Sequence, residues 1–236
     1  MKYFCVLVLA CLVQYIYASP AFITPCKASD KKCLVASTQK ALKAFVKGLP
    51  EYKIPVTDPL FVEGGKSDNP GLTIKYHDLN IHGLNKAKIV DVERSSSTIK
   101  LVFELPLVFD GHYELNGKIL FLEVIGKGNV DIKTDNVKLT VTLKTSTVKG
   151  ADGKDYWKVT GFDYKYDFID KVLIKLSGLF EGNEERAKPI HDLLDNSWKE
   201  VIEEIGDPII KQLLSVCVKH VNNFFSKVPA SELELA

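Results

Sequence analysis

Ile99-Lys100-Leu101-Val102-Phe103-Glu104-Leu105 and Val137-Lys138-Leu139-Thr140-Val141-Thr142-Leu143 both set an apolar side chain at every second position. A period of two sends successive side chains to opposite faces of a strand, so each segment offers one apolar face to a core. The same period dominates from about Leu72 to Phe168. Asn69-Pro70-Gly71, Asp110-Gly111, Asn116-Gly117 and Ala151-Asp152-Gly153 add turn chemistry at intervals. Short connections of this kind predict antiparallel pairing, and hence a long meander. Lys118-Ile119-Leu120-Phe121-Leu122-Glu123-Val124-Ile125 is apolar on both faces and reads as a strand covered on both sides, with Gly126 and Gly128 beside it as a place for a bulge or bend.

On either side of this region the period is helical. From Ser29 to Val46, Leu34, Ala41, Leu42 and Phe45 recur at helical spacing, and Gly48 supplies a stop. Leu49 to Leu60 carries Pro50, Pro55 and Pro59, which predicts an extended arm without regular structure; its end at Asp58-Pro59-Leu60 reads as a mobile lid. After Gly182, Ile190, Leu193, Leu194, Trp198, Val201, Ile202 and Ile205 lead into Ile209, Ile210, Leu213, Leu214, Cys217, Val221, Phe224 and Phe225. Gly206-Asp207-Pro208 kinks this helix or divides it. The apolar stripe is wide enough to be gripped from more than one side, and a single sheet must curve to enclose it. The expected fold is therefore α+β: a long curved antiparallel sheet wrapped around one long C-terminal helix, with a short N-terminal helix.

Residues 1–18 have the layout of a secretory signal peptide: Lys2, an apolar run from Cys5 to Val13, and the small pair Ala18-Ser19. The run is about half the ~20 residues that span a bilayer, so cleavage after Ala18 is expected rather than anchoring. No later segment suits a membrane span. Of the five cysteines, this removes Cys5 and Cys11 and leaves Cys26, Cys33 and Cys217 in an oxidising compartment. A short disulfide loop between Cys26 and Cys33 is worth roughly 2–3 kcal/mol on the chain-entropy reckoning. A zinc site would need a second pair of Cys or His at ligand spacing, which the sequence lacks. Cys217 sits in an apolar helical pattern as a small buried hydrophobe, with intermolecular pairing as the alternative. The remaining length suits one large domain or two small ones.

Thirty-one Lys and Arg balance thirty Asp and Glu, and the basic residues are scattered, which excludes the basic stripe of a nucleic-acid binder. There is no Asn-x-Ser/Thr acceptor and no Gly-x-Ser-x-Gly elbow. The five histidines, His77, His82, His112, His191 and His220, fall in unrelated segments. His77 and His82 would ligate a metal only with partners from elsewhere and read as solvated strand-end residues, so no metal site is expected. Glu184-Glu185 and Glu203-Glu204 read as solvated helix faces. Gly126-Lys127-Gly128 lacks the Gly-Lys-Ser/Thr ending of a phosphate loop. Neither catalytic residues nor a cofactor are expected. What stands out is an aliphatic and aromatic surplus on a sheet with few helices to cover it, which is either a packed core or the wall of a ligand cavity.

Three stretches together resemble the insect takeout and juvenile-hormone-binding protein family. They are Pro25-Cys26, Cys33-Leu34, Gly48-Leu49-Pro50 and Asp58-Pro59-Leu60 near the N-terminus; Gly111-His112-Tyr113-Glu114-Leu115-Asn116-Gly117-Lys118-Ile119-Leu120, running on to Gly126-Lys127-Gly128-Asn129; and Asn196-Ser197-Trp198-Lys199-Glu200-Val201 with Val228-Pro229-Ala230. The resemblance spans the chain beyond the signal peptide. It implies one domain over 19–236, an N-terminal disulfide, an elongated apolar tunnel for a terpenoid or fatty acyl ligand, secretion into haemolymph or the fluid around sensory or fat tissue, and no enzyme activity. Hormone-binding members pair a cysteine near the end of the sheet with one in the last helix. Here Cys217 matches the helix partner but Phe162 to Phe168 holds none, which favours the takeout branch.

On this reading Leu101, Phe103, Tyr113, Phe121, Leu139 and Val141 from the sheet, and Trp198, Ile202, Phe224 and Phe225 from the helix, line or close the tunnel. The polar tips of Tyr113 and Trp198 are positioned to fix a carbonyl or hydroxyl of the ligand. Burying ~400 Å² of ligand gains roughly 10 kcal/mol before association costs are subtracted. The rival reading is a secreted protein–protein signalling module with a filled core.

Overall fold

In the computed structural model, which describes residues 19–235, the two alternating segments pair with one another. They belong to strands β5 (Thr98–Ile119) and β6 (Leu122–Lys149), with Ile99 opposite Leu143, Leu101 opposite Val141, Phe103 opposite Leu139 and Leu105 opposite Val137. Matching apolar positions across the ladder put both apolar faces on the same side. With β2 (Leu60–Asn69), β3 (Leu72–His82) and β7 (Asp155–Phe168) they form an antiparallel sheet in the order β2-β3-β5-β6-β7. Two shorter strands, β4 (Lys88–Arg94) and β8 (Val172–Leu176), pair with β5 and β6 respectively. Since β5 and β6 run for 22 and 28 residues, their two halves have different neighbours: β3 and β8 flank one half, β4 and β7 the other. Twist accumulated along so long a ribbon curls it around the C-terminal helices.

Helix α1 (Lys31–Val46) starts at Asp30, whose carboxylate accepts from Cys33 N at 3.0 Å. It covers the free edge of β4 through Gln39, whose amide donates to Ala87 O (3.1 Å) and accepts from Ile89 N (2.8 Å). The disulfide joins Cys26 to Cys33. Beside it, β1 (Cys26–Lys27) pairs in parallel with β9 (Glu234–Leu235), so the two ends of the described chain meet. The C-terminal helical region is three helices: α2 (Glu184–Asn196), α3 (Trp198–Ile205) and α4 (Asp207–Phe225). The break at Gly206 was expected from Asp207-Pro208; the one at Ser197 was not. Among the described residues no helix is long and apolar enough to cross a membrane. The expected signal peptide lies outside the described residues.

Four expectations are corrected. Asp110-Gly111 and Asn116-Gly117 are not turns: both lie inside β5, and the chain reverses instead at Leu120-Phe121, where Leu120 adopts a φ of 53°. The two glycines serve close backbone approach. A Cβ on Gly117 would lie 2.0 Å from Gly71 O, and one on Gly111 3.0 Å from Asp78 O. Lys118 to Ile125 is thus a hairpin tip rather than a doubly covered strand. The sheet also begins earlier than Leu72, because Glu63-Gly64-Gly65-Lys66-Ser67-Asp68, loop-like in composition, is held in β2 by its pairing with β3. Finally, the end of the proline-rich arm is anchored rather than a lid. The Asp58 carboxylate accepts from Gly83 N (3.2 Å) and Asn85 N (2.8 Å), and Leu60 is buried.

Candidate functional site

A curled sheet leaves a gap between its edges, and α4 lies lengthwise in that gap. On one side the Gln212 amide donates to Lys66 O of β2 (3.0 Å) and accepts from the Tyr76 hydroxyl of β3. On the other, Asn222 accepts from Val159 N (2.8 Å) and donates to Val159 O (3.3 Å), standing in for a missing neighbour of β7. At the start of α4 the Tyr164 hydroxyl lies 2.6 Å from Asp207 Oδ1. Polar side chains along its margins thus clasp both sheet edges, and the wide apolar stripe between them faces inward.

The enclosed space is packed solid at two ends. At one, α2 drives Ala187, Ile190, Leu193 and Leu194 against Leu72, Ile74, Leu115 and Ile119. At the other, Phe224 is ringed by Phe22, Phe45 and Tyr52, with centroids 5.9, 5.3 and 5.0 Å away, and Phe225 meets Trp157 edge to face at 5.4 Å. Between the ends runs a band of inward-facing apolar side chains that keep accessible surface: Leu101, Phe103 and Leu139 from the sheet, Tyr166 and Phe168 from β7, Trp198 and Ile202 from α3, and Leu214, Cys217 and Val218 from α4. Trp198 packs edge to face on Phe168 at 5.4 Å, which in turn meets Tyr166 at 5.2 Å.

Cys217 stands on the α4 side of this band. Its thiol is surrounded by enough protein that burial pushes its pKa up to about 11, yet the residue is only half-buried by accessible area. The hydroxyls nearby share the apolar surroundings. Burial, followed by the Asp207 and Glu203 carboxylates, raises the pKa of Tyr166, and burial with the Asp207 hydrogen bond raises that of Tyr164.

The ten expected lining residues separate into three groups. Leu101, Phe103, Leu139, Trp198 and Ile202 lie in the half-buried band. Tyr113, Val141, Phe224 and Phe225 are buried in packed clusters. The Tyr113 hydroxyl donates to Ser177 O at 2.8 Å, and burial pushes its pKa up to about 12, so its tip is committed to backbone rather than offered to a ligand. Phe121 stands 76% exposed at the hairpin tip, away from the interior, because Leu120-Phe121 forms the turn. Five residues of the band lie outside the ten expected from sequence: Tyr166 and Phe168 from β7, and Leu214, Cys217 and Val218 from α4. For the β7 pair the signal was present in the strict alternation of Phe162-Asp163-Tyr164-Lys165-Tyr166-Asp167-Phe168. At the Phe224 end, a cleft of about 720 Å³ opens beside the β6–β7 hairpin and the end of α4, lined by Val148, Trp157, Asn222 and Pro229 among others.

The sequence model of the haemolymph juvenile hormone binding protein family matches residues 4–234. The circadian clock-controlled protein daywake of Drosophila melanogaster is 25% identical over 238 aligned positions, covering 94% of this chain and 91% of that protein. A juvenile hormone-binding protein of Manduca sexta is 35% identical over 103 positions, 41% of this chain and 45% of that one. The crystal structure of Epiphyas postvittana Takeout 1 superposes with a TM-score of 0.85 at 29% identity, over 91% of this chain and all of that one. In sequence along nearly its whole length, and in the curled sheet that wraps a C-terminal helix, the chain belongs to the haemolymph juvenile hormone binding protein family.

Proposed function

We propose that the protein is a secreted, non-catalytic carrier that holds one elongated hydrophobic molecule, a terpenoid or fatty acyl compound, in the space between α4 and the curled sheet. The observation that carries this reading is the band of half-buried apolar side chains from the sheet, α3 and α4 that lies between the two packed ends. Leu101, Phe103, Leu139, Trp198 and Ile202 form the wall, extended by Tyr166, Phe168 and Leu214. Tyr113, Val141, Phe224 and Phe225 belong to the packed ends. Binding draws on burial of the ligand's apolar surface, at roughly 25 cal/mol per Å², and needs no charged anchor. Among the described residues the Tyr166 hydroxyl makes no hydrogen bond within the protein, which leaves it to meet a carbonyl or hydroxyl of the cargo. The Manduca relative is named for binding juvenile hormone, and membership in its family supports a terpenoid-sized cargo here. The signal-peptide layout of residues 1–18 and the Cys26–Cys33 disulfide support secretion.

Native mass spectrometry of the purified protein, combined with displacement of a fluorescent fatty-acid probe, tests the reading. A co-purifying lipid-sized adduct and displacement by terpenoids or acyl chains are expected. An interior that retains no adduct and a probe that never binds would instead favour a filled signalling module.

A further inference from the structure

Three of the five histidines, scattered in sequence, are gathered on the outer face of the β3–β5 pair. His77 lies directly opposite His112, with ring centroids 4.9 Å apart and planes within 7° of parallel. His82 lies further along β3, its Nε2 2.9 Å from Asp110 Oδ1. Strand pairing, which no local motif encodes, supplies His77 with a partner from a distant segment.

A bulge completes the arrangement. Pairing slips between His77 and Asn80, so that residues 78 and 79 of β3 oppose Gly111 alone. Tyr76 and Leu79 are buried, while His77 and Asp78 between them both face outward, which breaks the alternation of a regular strand. Asp78 adopts a φ of 53°, a left-handed conformation uncommon outside Gly, Asn and Asp. Gly111 permits this, since a Cβ there would lie 2.8 Å from the Leu79 side chain and 3.0 Å from Asp78 O. The Asp-Gly signal that reads as a turn is therefore the partner of a bulge that pushes a carboxylate out beside two imidazoles.

The geometry points to a surface site for a divalent transition metal, of which Zn²⁺ is the natural occupant, held by His77, Asp78 and His112. Their donor atoms all lie within 4.8 Å of one another, and His77 Nδ1 is 2.9 Å from Asp78 Oδ2. Around an ion bound at ~2.0–2.2 Å, adjacent donors are roughly 3–3.5 Å apart, a distance these exposed side chains reach by small rotations. Two imidazoles and one carboxylate form a borderline donor set that suits zinc better than magnesium or calcium. Of the other carboxylates nearby, Glu114 pairs with Lys127 at 2.6 Å and Asp110 with His82 and Asn80, while the exposed Glu63 of β2 lies level with Asp78. The neighbour of His77 on β2 is Gly64, so no side chain stands directly opposite that ring on β2, and His77, Asp78 and His112 are all exposed to solvent. The site lies on the opposite face of the sheet from the apolar interior and is independent of the carrier reading.

Calorimetric titration of the tag-free protein, without its signal peptide, with ZnCl₂ tests the assignment. About one equivalent should bind, and affinity should fall by at least about tenfold in the double variant His77→Ala/His112→Ala. Asp78→Asn, which preserves a residue tolerant of left-handed backbone, should weaken binding, whereas His191→Ala on α2 should leave it unchanged. All these positions are solvent-accessible, so melting curves of the metal-free variants should match the wild type, and loss of zinc binding then reports ligation rather than unfolding. Binding that persists undiminished in the double variant, or no binding by the wild type, overturns the assignment.

Discussion

Replacing Asn222 with alanine isolates the clasp between α4 and the edge of β7. The amide makes two hydrogen bonds to one residue, accepting from Val159 N at 2.8 Å and donating to Val159 O at 3.3 Å, and Val159 is 5% exposed. Each bond contributes about 0.5–1.5 kcal/mol, and a buried backbone group left without a partner adds a penalty of about 1–3 kcal/mol where water cannot reach it. The cleft beside Asn222 lets water satisfy part of that need, so the net loss should be about 2–4 kcal/mol. At about 2–4 °C per kcal/mol for a domain of this size, the melting temperature should fall by roughly 5–15 °C. Calorimetry and urea unfolding both read this, the latter with an unchanged m-value. Asn222→Asp keeps the acceptor but sets a carboxylate against Val159 O, and should also destabilise. An Asn222→Ala variant within 0.5 kcal/mol of the wild type would show that apolar packing alone holds α4 in place.

Two further predictions follow from buried groups. Burial raises the Cys217 thiol from its ordinary 9.0 to about 11, so the folded state resists ionisation. Its contribution is intact below pH 9 and is lost as pH rises towards 11, with up to about 2 kcal/mol at stake; Cys217→Ala should flatten this alkaline limb of the stability curve, and an unchanged limb would place the effect on the tyrosines. The same thiol should react slowly with Ellman's reagent at pH 8 in native protein and form no disulfide dimer, whereas fast stoichiometric labelling would put it on the surface. Arg94 is clamped between the Trp157 ring, 4.3 Å from the centroid, and Glu234, at 3.1 Å, with its side chain 7% exposed. Arg94→Met should cost about 1.5–3 kcal/mol and free the C-terminal pairing with β1 to exchange hydrogen faster, which amide exchange at Cys26 and Leu235 would detect.

The sheet was legible where side-chain period carried the information. The two opening segments not only form strands but pair in the register that their apolar positions demand. The hairpin tips at Asn69-Pro70-Gly71 and Ala151-Asp152-Gly153 were legible, but the one at Leu120-Phe121 was not, because Asp-Gly and Asn-Gly carry the same local signature whether the glycine makes a turn or admits a neighbouring backbone. Only the register of β3 against β5 decides between these. The interior shows the same division. Alternation identified Leu101, Phe103 and Leu139 as inward-facing, but a packed end and an open middle present the same pattern. The difference between Val141, buried among Leu143 and Phe225, and Leu139 one turn of the pleat away arises from where α4 runs. The histidine pair was invisible for a further reason: 34 residues of chain separate two rings that strand pairing sets side by side.

The carrier account rests on whether an apolar molecule enters the band around Trp198. The chain has two tryptophans, and Trp157→Phe leaves Trp198 alone as a fluorescence donor. Titration of that variant with a conjugated-polyene fatty acid should quench Trp198 and raise polyene emission, saturating at one ligand per protein and reversed by excess terpenoid or saturated fatty acid. Transfer that is absent, or that grows without saturation as ligand is added, would contradict the account.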